Sequence, residues 1–320
     1  MPERSPEGAD SHGLAVSLEP VLRKETDGRL GTIEWFTTVL QRGGASTGRA
    51  VFTCPEQGEV DAIVKLPVGP RELRWSRALG GCPSVPGPTP RVLASGAELN
   101  GYDLGWMIIE AIHGEAMPHD PGDDGLAAIL EAAASFQACA EASEPPGVRP
   151  PSPDYGAAVD RGRSRLADCG IAEPQRWNEA LRKVQKKVDH LERLWALRPV
   201  NAWCHGDLHP GNAIRNGANP PVRLIDLAQV HAGHWCEDAL YLERQFWGRP
   251  ERIRKSKPVS MLAKSRRAIG LVCEDGYADL ARVRRVLSAA CVPDNWPAEG
   301  DGAYAAGALD IIEKQLHMIG

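Results

Sequence analysis

An aspartate, an asparagine five positions on and a second aspartate fourteen positions later are the residues of this chain whose types and spacing can do chemistry. They lie in WCHGDLHPGNAIRNGANPPVRLID, residues 203–226. Two apolar, strand-like runs, Val200 to Cys204 and Val222 to Ile225, flank a loop tightened by Gly206, Pro210 and Gly211. Phosphoryl transfer asks little covalent chemistry of a protein. It needs a carboxylate to orient the attacking hydroxyl and oxygen ligands to hold Mg²⁺ against the phosphates. Asp207 suits the first task, Asn212 and Asp226 the second. Singly, an Asp or Asn in a tight loop is an ordinary turn former that bonds its own backbone. The combination, with a strand on each side and Asp226 closing the second, points to catalysis.

The elements that carry this loop can be read outward from it. Thr32 to Leu40 and Arg49 to Cys54 are β-prone runs joined by the glycine-rich RGGASTG, a hairpin. Val60 to Leu66 is a third strand, and Arg71 to Leu79 has helical periodicity through Leu73, Trp75 or Ser76, and Leu79. Arg91 to Ala94 and Leu104 to Ile109 are two more strands around the turn-rich SGAELNGYD. Past His113 and Gly114 the pattern turns helical, first over Gly125 to Ala142 and then, after a Pro-rich break, through Trp177, Leu181, Val184, Val188, Leu191 and Leu194. The latter spacing predicts one amphipathic helix of about six turns. Further helices are expected over Cys236 to Gln245, Lys264 to Ala290 with a break at Gly276, and Ala303 to His317. The first 14 residues, rich in Pro, Glu, Ser and Gly, are expected to form a disordered tail. The result is an α+β chain, with a sheet-rich lobe over residues 15–110 and a mostly helical lobe over 111–320 that contains the loop.

With 320 residues, 42% hydrophobic and 25% charged, there is material for two compact units. The net charge of -5 argues against nucleic acid as a partner and leaves room for a cationic substrate. The first residues hold no apolar signal-like stretch, and no run of about 18 apolar residues occurs, so neither secretion nor membrane insertion is signalled and cytoplasm is expected. Eight cysteines without a CxxC pair suggest reduced, mostly buried thiols and no disulfide framework.

HGDLHPGN followed by LID resembles the signature of the aminoglycoside phosphotransferase and choline kinase group, small-molecule kinases with a bilobal protein-kinase-like fold. The likeness extends over about residues 35–245 through RGGAST, IVKL, PRELRWSRAL, TPRVLASG, WMIIEAIHGE and GHWCEDALYLE. It implies an antiparallel-sheet N-lobe and a helical C-lobe that transfer the γ-phosphoryl group of ATP, or GTP, to the hydroxyl of a small molecule with Mg²⁺. By the resemblance Asp207 is the catalytic base, Asn212 and Asp226 are the metal ligands, and Lys65 is the cation on the α- and β-phosphates with Glu72 as its ion-pair partner. Gly43, Gly44 and Ser46 belong to the phosphate-covering loop, Glu110, Ala111 and Ile112 to the hinge that faces adenine, and His205 and Asp238 to the support of the catalytic loop. A lysine ammonium suits phosphate oxygens, and a carboxylate beside it fixes its rotamer and keeps it protonated. Two departures stand out. LIDLAQ has Ala228 and Gln229 where the family often has another acid, and SFQACA, around Phe136 and Gln137, lacks the family's Leu-His pair.

Other readings compete. Cys204, His205, His209, His231, His234 and Cys236 are zinc-type ligands clustered in sequence, but their spacing fits no strong zinc pattern. An inactive pseudokinase is expected to have lost one of Lys65, Asp207, Asn212 and Asp226, and all four are present. The acceptor is open between an aminoglycoside and a choline- or homoserine-like metabolite. Glu237, Glu243, Glu251, Glu274, Asp275 and Asp279 could line a cleft for a polycation, while the basic stretch Arg249 to Arg267 suits an anion. Trp235, Trp247 and Trp296 are either stacking platforms or core. The sequence carries no signal of oligomeric state.

Overall fold

The computed structural model describes residues 7–36, 45–81, 87–215, 221–253, 255–298 and 300–320. Its first stretch runs α1 (Glu7–Glu25), β1 (Glu34–Phe36), β2 (Ser46–Cys54), β3 (Gly58–Leu66), α2 (Pro70–Gly80), β4 (Val92–Gly96), β5 (Trp106–Glu110) and β6 (Glu115–Ala116). Next come α3 (Gly122–Ser143), α4 (Tyr155–Arg165), α5 (Pro174–Gln185), α6 (Val188–Ala196), β7 (Ala202–Cys204), β8 (Ala213–Arg215) and β9 (Arg223–Leu224). The last stretch is β10 (His231–Gly233), α7 (Glu237–Arg244), α8 (Pro258–Ala268), α9 (Tyr277–Ala290) and α10 (Gly302–Gln315).

The chain divides into two units, Met1–Ala116 with Ile214–Val230, and Met117–Ala213 with His231–Gly320. The boundary expected after residue 110 therefore falls at 116. Residues 214–230, expected in the helical lobe, belong to the first unit because β8 pairs with β6 (Glu115↔Arg215, Ala116↔Ile214) and Leu224 N donates to Pro88 O at 2.8 Å.

The first unit is built on an antiparallel sheet in the order β1-β2-β3-β5-β4. Side chains alternate across a strand. On β3, Ala62, Val64 and Leu66 are buried against Leu22 and Leu30, Phe52, Trp106 and Ile108. The intervening Ile63 belongs to the opposite face, where Val68, Leu73, Met107 and Ile109 form a second apolar cluster with α2, and Lys65 shares that face by its register. Helix α2 starts at Pro70, whose missing N–H and fixed φ suit a first turn, and Glu72 sits in that turn where the helix dipole favours a carboxylate. Leu73, Ser76 and Leu79 recur at helical spacing on its buried side. Burying each leucine contributes about 2 kcal/mol. Helix α1 begins at Glu7, so residues 7–14 are helical where a disordered tail was expected; Ala15 and Leu22 anchor the helix to the sheet.

In the second unit α4, α5, α6, α9 and α10 share a core that includes Trp177, Leu181, Val188, Trp195, Leu287 and Ile312. The single six-turn helix expected through Leu194 is two helices. The break comes where Lys187 N donates to Val184 O at 2.8 Å, a tighter turn that lets Val188, Leu191 and Trp195 reach the same core. Helix α4 follows the Pro-rich break and was not foreseen. Asp154 caps it, accepting from Ala157 N at 2.8 Å. The stretch expected as one broken helix to Ala290 is α8 and α9, and Gly276, at φ 84°, precedes α9. Cys54, Cys169, Cys204, Cys236, Cys273 and Cys291 are free thiols, of which Cys204 and Cys236 are buried. Cys139, against expectation, is disulfide-bonded. No helix among the described residues is long and apolar enough to cross a membrane.

Candidate active site

In the second unit β7 pairs antiparallel with β10, setting Cys204 opposite His231, and the chain leaves β7 into the loop that carries Asp207. Gly206 makes the turn at φ 82°, in the left-handed region that only glycine enters at no steric cost. His209 then caps a single 3-10 turn, Pro210–Asn212, its Nδ1 accepting from Gly211 N at 3.0 Å. That turn brings Asn212 back onto Asp207. Asn212 Nδ2 donates to both Asp207 O and Asp207 Oδ2 at 3.0 Å. The Tyr241 hydroxyl donates to the other carboxylate oxygen, Oδ1, at 2.6 Å. Both oxygens are therefore held, and the Asn212 amide is oriented with its nitrogen on Asp207, which leaves its oxygen as the atom for a cation. The Asp207 pKa is held down at about 2, first by His209, then by Tyr241, against the opposing effect of burial. His209 Nε2 lies 3.7 Å from Oδ2, beyond hydrogen-bond length, so it acts as a nearby charge when protonated, whereas Tyr241 is a true donor.

The loop backbone is clamped from below. Asp238, in the first turn of α7 and fully buried, accepts from His205 N and Gly206 N at 3.0 Å each and from Gln137 Nε2 at 3.1 Å. Gln137, on α3, also donates to Trp235 O at 3.1 Å and accepts from Arg266 at 2.5 Å. Gln137 thus links the clamp to α8. His205 is buried against Phe136, ring centroids 5.7 Å apart, and its Nδ1 accepts from Asp207 N at 3.3 Å. Tyr241, Gln137 and Arg266 were not foreseen as parts of the site. The spacing of Asp238 and Tyr241, three residues apart and so on one helix face, was the signal that could have found Tyr241.

In the first unit Lys65 pairs with Glu72 across the β3–α2 face, as expected. Asp226 is exposed and takes a left-handed conformation, φ 64°, one residue before a 3-10 turn that packs on α2. A non-glycine residue there is uncommon, and such outliers cluster at functional sites. Of the hinge candidates, Glu110 N donates to Arg91 O at 2.9 Å and Ala111 N to Asp61 O at 2.8 Å. The Ile112 carbonyl accepts from Gly114 N at 2.9 Å, and of these three N–H groups that of Ile112 is the one with no backbone acceptor among the described residues. The Glu110 carboxylate is taken by Arg223 and by Arg91 N. Ser46 is buried at the start of β2, opposite Leu66. Gly43 and Gly44 lie outside the described residues.

Among the described residues no group of three His, Cys, Asp or Glu side chains is placed to hold a metal ion. Burial pushes the Cys204 and Cys236 thiols well up, which disfavours the thiolate that zinc requires. The acids considered for a polycation are largely committed elsewhere. Glu237 pairs with Arg198 at 3.0 Å, Glu243 with Arg285 at 2.6 and 2.7 Å, Asp279 with Arg282 at 2.5 Å, and Glu274 accepts from Asn201 and Trp235. Trp235 and Trp247 are buried, and Arg266 of the basic stretch is a core residue, 2% exposed.

The profile of the phosphotransferase enzyme family matches residues 36–258, more than half of the chain. No curated protein matches. Among solved structures the chain is similar to a microcompartment-associated aminopropanol kinase, with TM-score 0.59 and 16% identity over 96% of this chain and 98% of that one. A choline/ethanolamine kinase family protein from Mesorhizobium loti gives 0.56 and 14%, covering 96% and 94%. A spectinomycin phosphotransferase solved with ADP and spectinomycin gives 0.52 and 13%, covering 90% and 94%. The fold is the protein-kinase-like α+β arrangement shared by these proteins. On the extent of the profile match, the chain belongs to the phosphotransferase enzyme family.

Proposed function

We propose that this phosphotransferase moves the γ-phosphoryl group of ATP, or GTP, to a hydroxyl of a small molecule with Mg²⁺. The observation that carries the reading is the Asp207 carboxylate, fixed by Tyr241 and Asn212 on a loop clamped by Asp238. The acceptor oxygen bonds to the γ-phosphorus as the bond from that phosphorus to the bridging oxygen breaks, the nucleoside diphosphate leaves, and the hydroxyl proton passes to Asp207 and on to solvent. A carboxylate held near pKa 2 is a weak proton acceptor at neutral pH. Its main contribution is orientation, with the proton moving late, as a loose phosphoryl-transfer transition state allows.

Hard oxygen donors suit Mg²⁺, and the Asn212 amide oxygen and the Asp226 carboxylate are the donors that would hold it. When bound, the ion neutralises charge on the phosphates. Lys65, oriented by Glu72, contacts the α- and β-phosphates, and the Ile112 N–H is the hinge donor for the adenine edge. A cytoplasmic location goes with the use of ATP.

The test is nucleotide consumption with aminoglycosides, macrolides, choline, homoserine and sugars as acceptors, with and without EDTA. Acceptor-dependent release of ADP that disappears with EDTA is the expected result. Tight nucleotide binding without turnover on any acceptor would favour a pseudokinase instead.

A further inference from the structure

Where β4 meets β5 in the first unit, the sheet departs from its own ladder. Val92 faces Ile109 in the register, which sets Arg91 opposite Glu110. Two residues bonded face to face in an antiparallel pair exchange both backbone bonds. Here one of the two is made, from Glu110 N to Arg91 O at 2.9 Å. The return bond is diverted: Arg91 N donates at 3.0 Å to Oε1 of the Glu110 carboxylate and not to the Glu110 carbonyl. Two cations hold the carboxylate in that place. Arg223, on β9, donates to Oε1, and Arg91 Nε lies 3.9 Å from Oε2.

The Glu110 carbonyl is equally unengaged toward β3. Ala111 N donates to Asp61 O at 2.8 Å, so bonded positions alternate from Ala111 to Ile109 and Glu110 faces away between them. Among the described residues this carbonyl therefore has no donor. Two positions on, the Ile112 N–H has no backbone acceptor among the described residues, while the Ile112 carbonyl is engaged by Gly114 N at 2.9 Å. Groups two positions apart in an extended chain point to the same side. An open acceptor and an open donor thus stand side by side, followed by a carbonyl that is already occupied.

A 6-aminopurine is the complement of that pair, its amino N–H meeting the Glu110 carbonyl and its ring N1 accepting from the Ile112 N–H. A 6-oxopurine is mismatched at both points, oxygen against oxygen and N–H against N–H. Shifting it so that O6 accepts from the Ile112 N–H would need the Ile112 carbonyl for its N1–H, and Gly114 engages that carbonyl. Each polar mismatch in a desolvated contact costs about 5- to 150-fold in affinity.

We infer that the Glu110 carboxylate, held by Arg223, makes this nucleotide site selective for adenine over guanine by drawing the Arg91 N–H away from the Glu110 carbonyl. The inference rests on the reading of the chain as a nucleotide-dependent phosphotransferase and names its donor as ATP. The carboxylate is a positioning group, since it acts through the main chain and not on the base.

The test measures binding of ATP, GTP and ITP to the full chain by calorimetry with Mg²⁺, and kcat/KM for each with the best acceptor. ATP should be preferred to GTP by about 30-fold or more. ITP, which shares the 6-oxo group of GTP and lacks its 2-amino group, should behave as GTP does. Glu110→Ala frees the Arg91 N–H for the carbonyl at position 110 and should cut the ATP-to-GTP ratio about fivefold or more, through weaker ATP binding. Glu110→Gln loses the ion pair with Arg223 but keeps an oxygen for Arg91 N, and should retain most of the ratio. A merely structural role would weaken all three nucleotides together in both variants and leave the ratio alone. GTP or ITP bound as well as ATP by the natural chain, or a ratio unchanged in Glu110→Ala, overturns the inference and leaves phosphotransfer standing. Adenine-selective binding that depends on Glu110, with no transfer to any acceptor, overturns the phosphotransfer reading and leaves the base selectivity. Binding of none of the three nucleotides overturns both.

Discussion

Removing the hydroxyl of Tyr241 isolates the contact that fixes the Asp207 carboxylate. The bond is 2.6 Å long and ends on an ionised oxygen, a class worth about 1.5–3 kcal/mol. The carboxylate is 26% exposed, so solvent screening points to the lower end, about 1.5 kcal/mol. At about 1.36 kcal/mol per pH unit, losing it raises the Asp207 pKa from about 2 to roughly 3, with Asn212 and His209 still in place. Because the folded pKa lies below the ordinary 3.8, the associated stability is fully present above about pH 4 and is lost as pH falls through about 2. Tyr241→Phe should therefore unfold in urea about 1.5 kcal/mol more easily at pH 7, and the gap to the natural protein should narrow between pH 4 and pH 2. In an Asp207→Ala background the same change should cost less than about 0.5 kcal/mol. A cost that is independent of pH, or equally large without Asp207, would show that Tyr241 acts through packing and not through the carboxylate.

Gln137→Leu keeps the bulk of the side chain but takes one acceptor from Arg266, which retains Val272 O and the Glu141 carboxylate, and one donor from Asp238, so urea unfolding should register a loss of about 1–3 kcal/mol. Lys65→Met should raise KM for ATP at least about tenfold in steady-state kinetics while leaving the fold intact by circular dichroism. Gly206→Ala places a Cβ at φ 82° and should cost about 1–2 kcal/mol in stability together with a fall in kcat. The same substitution at Gly270, φ 81°, should lose similar stability without the fall in kcat.

What was legible in the sequence is what depends on near neighbours. The sequence pattern read a strand ending near Lys65 and a helix holding Glu72, the family resemblance made the two an ion pair, and the pair forms. Asp207 and Asn212 are five residues apart, and the loop between them closes on itself through Asn212 Nδ2. Contacts between distant positions were illegible. Tyr241 lies 34 residues from Asp207, and Gln137 lies 101 from Asp238. Neither residue type announces that it will be buried beside a carboxylate. The break between α5 and α6 escaped because Lys186 and Lys187 fit an exposed helix face as well as a turn. Helix α1 escaped because its polar beginning reads as a tail, and its anchors, Ala15 and Leu22, act only once the sheet exists. The acids that looked available to a polycation were misjudged for the same reason: Glu237 and Glu243 find arginines 39 and 42 positions away.

The central claim, that Asp207 orients the attacking hydroxyl in nucleotide-dependent transfer, is tested most directly by single-turnover kinetics of Asp207→Asn with ATP, Mg²⁺ and the best acceptor. The substitution keeps the size of the side chain and an oxygen for Tyr241 but removes the charge. The predicted result is a fall in the transfer rate of about 10²- to 10⁴-fold with nucleotide affinity nearly unchanged. Transfer within a few-fold of the natural enzyme would contradict the account.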